Sequence, residues 1–305
     1  MIRWSRPVNA MLLALLVTAL VSGVLAVAVG SPPVAEVVVA VHGAAGIGLL
    51  LLAPAKLRIA RHGMRTASRT RAAAGLVLAA FAVLVVGTGF LHAIGGFRGW
   101  LGLLPMQMHV GAAVAVGLLL AAHLVAHRRW GWLRRTDLSR RVALRAAGVL
   151  AGAAALWFVA PGRPRRETGS HEVGSGDPAA MPVTQWLFDP VPRIAAADWR
   201  LRVGGRAWDL AAVAALPQAT VVAVLDCTGG WYAEQEWRGV PLSVLGLPAG
   251  QGIEVVSATG YRRRFAAGRA GELLLATHAG GRALSAGHGG PARLVAPGDR
   301  GFWWV

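Results

Sequence analysis

Hydrophobic positions fall into two patterns along this chain. In the first half they run unbroken for spans near the ~20 residues needed to cross ~30 Å of hydrocarbon. Five such stretches stand at about residues 8–29, 34–55, 72–94, 106–126 and 142–160. They predict an all-α, five-helix transmembrane bundle. The first is long and is followed at once by further spans, so it reads as a retained anchor rather than a cleaved signal peptide.

After Pro161 the pattern changes. Residues 162–182 are rich in Gly, Pro, Arg, Ser and acid, the composition of a linker. From residue 183 short apolar runs of strand length alternate with turn residues. Strands are expected near 199–203, 220–225, 253–257, 272–276 and 292–295, and a short helix near 209–216. Gly204-Gly205, Gly229-Gly230, Gly280-Gly281 and Gly289-Gly290 punctuate them. The fold class is therefore multi-domain: a membrane domain over 1–161, a linker over 162–182, and a β-rich α+β domain over 183–305, of ordinary domain size.

Composition agrees with a membrane half. Of the 305 residues 55% are hydrophobic and 15% charged, against about 45–50% and 25% in soluble domains. The net charge is +17, from 31 Lys+Arg and 14 Asp+Glu. Nucleic acid is set aside as a partner, because the bases cluster at the ends of apolar runs without an aromatic stacking platform. Lys56, Arg58, Arg61, Arg65, Arg69 and Arg71 crowd the second connection, and Arg128, Arg129, Arg134, Arg135, Arg140, Arg141 and Arg145 the fourth. The first connection has no base and the third only Arg98. Positive residues mark the cytoplasmic side. The reading is a multi-pass cell-membrane protein, amino terminus cytoplasmic, with the last domain outside the cytoplasm.

Four histidines interrupt the apolar spans: His42, His92, His109 and His123. Polar side chains in a span are costly and point to function. His109 and His123 are 14 residues apart, close to four helical turns, so they share one face ~21 Å apart. The pattern resembles membrane cytochromes of the b type, in which histidines on different helices clamp haem. That resemblance implies haem b, one or two copies, and electron transfer with a quinone or redox protein. The outer site has three candidate ligands, His42, His92 and His109, with His42 and His109 at the most similar depth. An inner site would use His123, but Lys56 holds the position matching it after His42. One haem is thus better supported than two.

Ser139-Arg140-Arg141-Val142-Ala143-Leu144-Arg145, just before the fifth span, resembles a twin-arginine signal. That route moves folded proteins, which implies a domain that takes up its cofactor in the cytoplasm before export.

The chain has one cysteine, Cys227, so no intramolecular disulfide is possible. It stands in Asp226-Cys227-Thr228-Gly229-Gly230-Trp231, followed by Trp237-Arg238-Gly239-Val240-Pro241-Leu242. A thiolate is a soft ligand or a nucleophile. With His288-Gly289-Gly290-Pro291-Ala292-Arg293-Leu294-Val295-Ala296-Pro297-Gly298, and more weakly Ser257-Ala258-Thr259-Gly260-Tyr261, this segment resembles the molybdopterin-binding domain of the sulfite oxidase superfamily. The resemblance implies a molybdenum–molybdopterin cofactor with Cys227 as metal ligand and catalytic residue. It also implies Arg293 on the pterin phosphate, His288 as a hydrogen-bond partner, and Gly229, Gly230 and Gly289 letting backbone approach the ligand. Oxygen-atom transfer on a small substrate is the implied reaction, reduction of an oxidised sulfur compound being one form. Sulfite oxidases carry an arginine-bearing stretch just after the cysteine to hold the anionic substrate, where this chain has Thr228-Gly229-Gly230-Trp231-Tyr232, which argues against sulfite. Tyr232, Glu234 and Glu236 are expected beside the metal position. The rival reading is a non-catalytic binding or assembly module of the same fold.

Overall fold

The computed structural model describes residues 5–30, 33–65, 68–96, 102–127, 139–159, 164–185, 190–248 and 250–305. They divide into two compact units, Met1–Gly169 and Ser170–Val305.

Among the described residues, unit 1 holds five long helices: α1 Ser5–Ala28, α2 Val34–Met64, α3 Arg69–Ala93, α4 Pro105–His127 and α5 Arg140–Val159. All five are long and apolar enough to cross a membrane, by length and composition. Large apolar side chains stand exposed on them, among them Val24 on α1, Val83 on α3, and Leu118 and Val125 on α4. Pro105 opens α4 at the position where a missing N–H costs nothing. Ser139 Oγ accepts from Val142 N at 3.3 Å ahead of α5. α2 runs nine residues past the expected span. Lys56, Arg58 and Arg61, read as part of a connection, therefore ride on its last turns. Lys56 Nζ donates to Asn9 Oδ1 of α1 at 3.0 Å. A small packed core of Leu15, Ala45 and Leu52 joins α1 to α2, and an added Cβ at Gly43 would overlap the Trp157 ring of α5.

Unit 2 is built on a six-stranded sheet. Its strands are β1 His171–Glu172, β4 Ala219–Cys227, β5 Trp231–Pro241, β8 Leu274–Ala279, β9 Arg282–Ala283 and β10 Arg293–Val295. Two hairpins stand apart from it: β2 Leu201–Val203 with β3 Arg206–Trp208, and β6 Ile253–Val256 with β7 Arg262–Phe265. The short helix α6 Leu210–Ala214 is capped by Asp209, whose carboxylate accepts from Ala212 N at 2.8 Å. β5 organises the sheet. Antiparallel β4 lines one edge from Cys227↔Trp231 to Ala219↔Gly239. The other edge is shared, with parallel β1 against Trp231 and Tyr232 and antiparallel β8 against residues 237–241. The stretch read as a linker thus contributes β1 to this sheet. The core gathers under β5, where fully buried Trp237 meets Trp304 edge-on at 5.3 Å and donates Nε1–H to Ala223 O at 3.1 Å. Leu273, Leu274, Val240, Leu294 and Val295 fill the rest.

Candidate functional site

In unit 2, Cys227 ends β4 at a tight return into β5. Gly230, at φ 85°, closes the turn by donating to Cys227 O at 3.1 Å. A φ of this sign favours glycine. Gly229 N–H points at the Cys227 sulfur, 3.3 Å away. Across the turn Thr184 Oγ1 accepts from Trp231 Nε1 at 2.8 Å, and a Cβ on Gly229 would stand 2.9 Å from the Thr184 side chain. Burial pushes the thiol up, while the Gly229 N–H, the Thr184 hydroxyl and the charges of Arg293 and Arg300 pull it back. The metal-free sulfur is therefore a protonated thiol at neutral pH, surrounded by groups that favour its anion.

Arg293 opens β10 and donates through Nη1 to His288 O at 3.2 Å. Its Nε is buried with no hydrogen-bond partner. Burial draws this guanidinium down to about 10, with Cys227 acting in the opposite sense. It remains a cation at neutral pH. His288 already uses both ring nitrogens. A carbonyl can only accept, so Nε2 donates to Met181 O at 3.1 Å, and in the neutral ring Nδ1 accepts from the Ser285 hydroxyl at 2.8 Å. Gly289, at φ 92°, and Gly290 are explained first by the loop itself: a Cβ would meet the Arg293 side chain at the former and the Leu284 carbonyl at the latter.

Beside the cysteine lies a pair that sequence reasoning missed. Asp226 Oδ1 accepts from Arg300 Nη1 at 3.1 Å and from Ser170 Oγ at 2.7 Å, and all three side chains are buried. Thr184 was missed as well. An aspartate inside the otherwise apolar run Val224-Leu225-Asp226-Cys227 was the available signal, because a buried carboxylate needs a partner. Tyr232, Glu234 and Glu236, expected beside Cys227, do not share its face. Cys227 is paired with Trp231, so it shares the face of Trp231, Ala233, Gln235 and Trp237. The alternation of a strand puts Tyr232, Glu234 and Glu236 on the opposite face.

In unit 1, two of the four span histidines come together. The rings of His42 on α2 and His109 on α4 stand 5.9 Å apart, nearly perpendicular at 82°. His42 Nδ1 donates to Ala19 O at 2.9 Å, with Ser22 Oγ 3.2 Å away. His109 Nδ1 donates to Val85 O at 2.8 Å. In the neutral rings this leaves the Nε2 lone pair of each as the free donor atom. His92 is engaged elsewhere, with Nε2 3.3 Å from Gly169 O. His123, four turns further along α4, does not join the pair. Among the described residues no group of three or more His, Cys, Asp or Glu could hold a metal ion. A metal at either place would depend on donors beyond protein side chains.

Known proteins decide the second unit. Residues 188–305 match the family described as the oxidoreductase molybdopterin binding domain. This molybdopterin-binding domain contains both motifs, around Cys227 and around His288. Among solved structures, the sulfane dehydrogenase SoxCD from Paracoccus pantotrophus is similar at 29% identity. The match covers 38% of this chain and 38% of that one, with a TM-score of 0.36. No curated protein matches the chain.

Proposed function

We propose that this protein is a membrane-anchored, molybdenum-dependent oxidoreductase that moves an oxygen atom to or from a small substrate outside the cytoplasm. The observation that carries the proposal is the half-buried Cys227 thiol, at the head of a glycine turn inside the matched domain, between Gly229 N–H and the cations Arg293 and Arg300. A pterin-held molybdenum supplies two-electron oxygen-atom chemistry when bound. Cys227 Sγ would be its protein ligand. Gly229 N–H fixes the direction of the sulfur lone pairs, and the two guanidiniums favour the thiolate over the thiol. Arg293 fits the anionic end of the pterin, because its buried Nε lacks a partner and its fork suits a phosphate. His288 could reach the pterin only by giving up Met181 O or Ser285, so its first role is to tie the loop down. Arg300 holds Asp226 and with it the end of β4.

The paired His42 and His109, with rings 5.9 Å apart, would hold a haem b. Their Nδ1 atoms are taken up by Ala19 O and Val85 O, so Nε2 of each ring is the atom left to bind a metal. Haem supplies one-electron transfer when bound. It would link the molybdenum site to a quinone or redox protein. Ser139-Arg140-Arg141, at the start of α5, serves in this scheme as a transport signal for the cofactor-loaded domain.

The test is metal analysis of the full-length protein, made in a host that supplies both cofactors, with a reduced-minus-oxidised visible spectrum. About one molybdenum per chain and a b-type haem spectrum are expected. Cys227→Ser should leave the haem spectrum intact and remove one sulfur neighbour from the molybdenum X-ray absorption spectrum. Haem without molybdenum would overturn the enzyme and favour a non-catalytic module. Molybdenum with an unchanged sulfur count in Cys227→Ser would overturn the ligand.

A further inference from the structure

The two histidines are held by the same device used twice. In α1, Ala19, Ser22 and Gly23 face His42 of α2. In α3, Val85 and Gly89 face His109 of α4, and Thr88 stands at the position that matches Ser22. The offsets within each set are identical: carbonyl, hydroxyl three residues on, glycine four residues on. Both hydroxyls turn back onto their own helix, Ser22 Oγ to Thr18 O at 2.6 Å and Thr88 Oγ1 to Leu84 O at 2.6 Å. The partner helices are alike in composition but not in register: Gly43 directly follows His42, whereas Val110 separates His109 from Gly111.

The spacing has a physical reason. Side chains on a helix lean toward its amino terminus and cover the turn before their own Cα. The side chain at i+4 therefore shields the carbonyl at i. Glycine at 23 and at 89 uncovers Ala19 O and Val85 O. A carbonyl already bound within its helix can then accept a second hydrogen bond from an imidazole on the next helix. The fit is tight: a Cβ at Gly23 would stand 3.2 Å from His42 Cε1, and one at Gly89 2.9 Å from His109 Cε1.

We infer that α1–α2 and α3–α4 are two copies of one hairpin, and that Gly23 and Gly89 are positioning residues that expose the carbonyls orienting His42 and His109 toward a shared haem iron. The inference rests on the haem reading above. An Nδ1–H bound to a carbonyl makes the opposite nitrogen a stronger donor to iron. Stronger donation favours the oxidised iron and lowers the midpoint potential. Removing the device should therefore raise it.

The experiment is a redox titration of haem-loaded, full-length protein, followed by its visible spectrum, with low-temperature magnetic resonance of the oxidised form. The variants are Gly23→Ala and Gly89→Ala. Controls are Gly46→Ala and Gly87→Ala, on α2 and α3, where an added Cβ meets nothing within 4 Å. Alanine is a better helix former than glycine, so none of the four threatens the helices themselves. The expected result is haem retained in all four. The midpoint should shift upward in Gly89→Ala, less so in Gly23→Ala, with changed resonance anisotropy in both and wild-type values in the controls. Equal potentials and resonances in all four variants would overturn the inference while leaving the haem in place. Loss of haem in Gly23→Ala alone, or a shift in the controls equal to that in Gly89→Ala, would also overturn it. Wild-type protein without haem would overturn the haem reading itself, and this inference with it.

Discussion

At the scale of single residues, the cysteine's surroundings set a measurable pH behaviour. Burial raises the folded-state value of Cys227 above that of the unfolded chain. The folded, metal-free protein then keeps a proton that the unfolded chain releases. Its contribution to stability is complete below the ordinary thiol range and is lost as pH rises through the folded value. Alkylation should follow the same order. Near neutral pH, iodoacetamide should react with Cys227 more slowly in the folded metal-free protein than in urea. Arg293→Met, which removes a nearby cation but keeps bulk, should slow it further. A folded-state rate equal to the unfolded rate would contradict this. Cys227 and Arg293 were legible because each stands inside a compact motif. Thr184 and Arg300 were not, because they come from segments 43 residues before and 73 residues after the cysteine, and nothing in their own neighbourhoods marks them.

Elements differ in how plainly they are written. Long apolar runs gave all five helices to within a few residues at most ends. The exception, the end of α2, shows why: hydropathy reports the thickness of hydrocarbon, whereas a helix continues until its hydrogen bonding is broken. β4 is rich in valine and was legible. β5, the strand that joins most of the sheet, was not, because Glu234, Gln235, Glu236 and Arg238 mask its alternation. Its buried positions do alternate from Trp231 through Ala233, Gln235 and Trp237 to Gly239, which is the period of a strand with one wet face. Trp237 makes this strand consequential. It is fully buried, packs on Trp304 and bonds to β4. Trp237→Ala should cost about 3–5 kcal/mol of unfolding free energy in unit 2, as large-to-small changes of buried aromatics do, measured by urea denaturation monitored on the domain's tryptophans. A loss below about 1 kcal/mol would mean that the site collapses around the gap and that β5 is not the strand on which the domain depends.

For the whole molecule, the division into a helical half and a β-rich half was legible from hydrophobic period alone. The boundary at Gly169–Ser170 was not, because residues 170–182 have the composition of a linker yet supply β1 to the sheet. Orientation rests on charge. Arg65, Arg69 and Arg71 flank one end of α2 and α3, and Arg140, Arg141 and Arg145 begin α5, whereas Glu36 sits at the start of α2. Under the proposed function five crossings would separate the amino terminus from unit 2, and an odd number would put them on opposite sides. The single cysteine makes a clean test possible. In a Cys227→Ser background, exposed Arg65 and exposed Ala197 can each be changed to cysteine. A membrane-impermeant maleimide applied to intact spheroplasts should label Ala197→Cys. It should label Arg65→Cys only after the membrane is opened. The reverse pattern would put the molybdopterin-binding domain in the cytoplasm, where a transport signal before α5 would have no purpose and electrons would have to reach the domain from the other face. Labelling of both without permeabilisation would mean that the helices do not form five crossings at all.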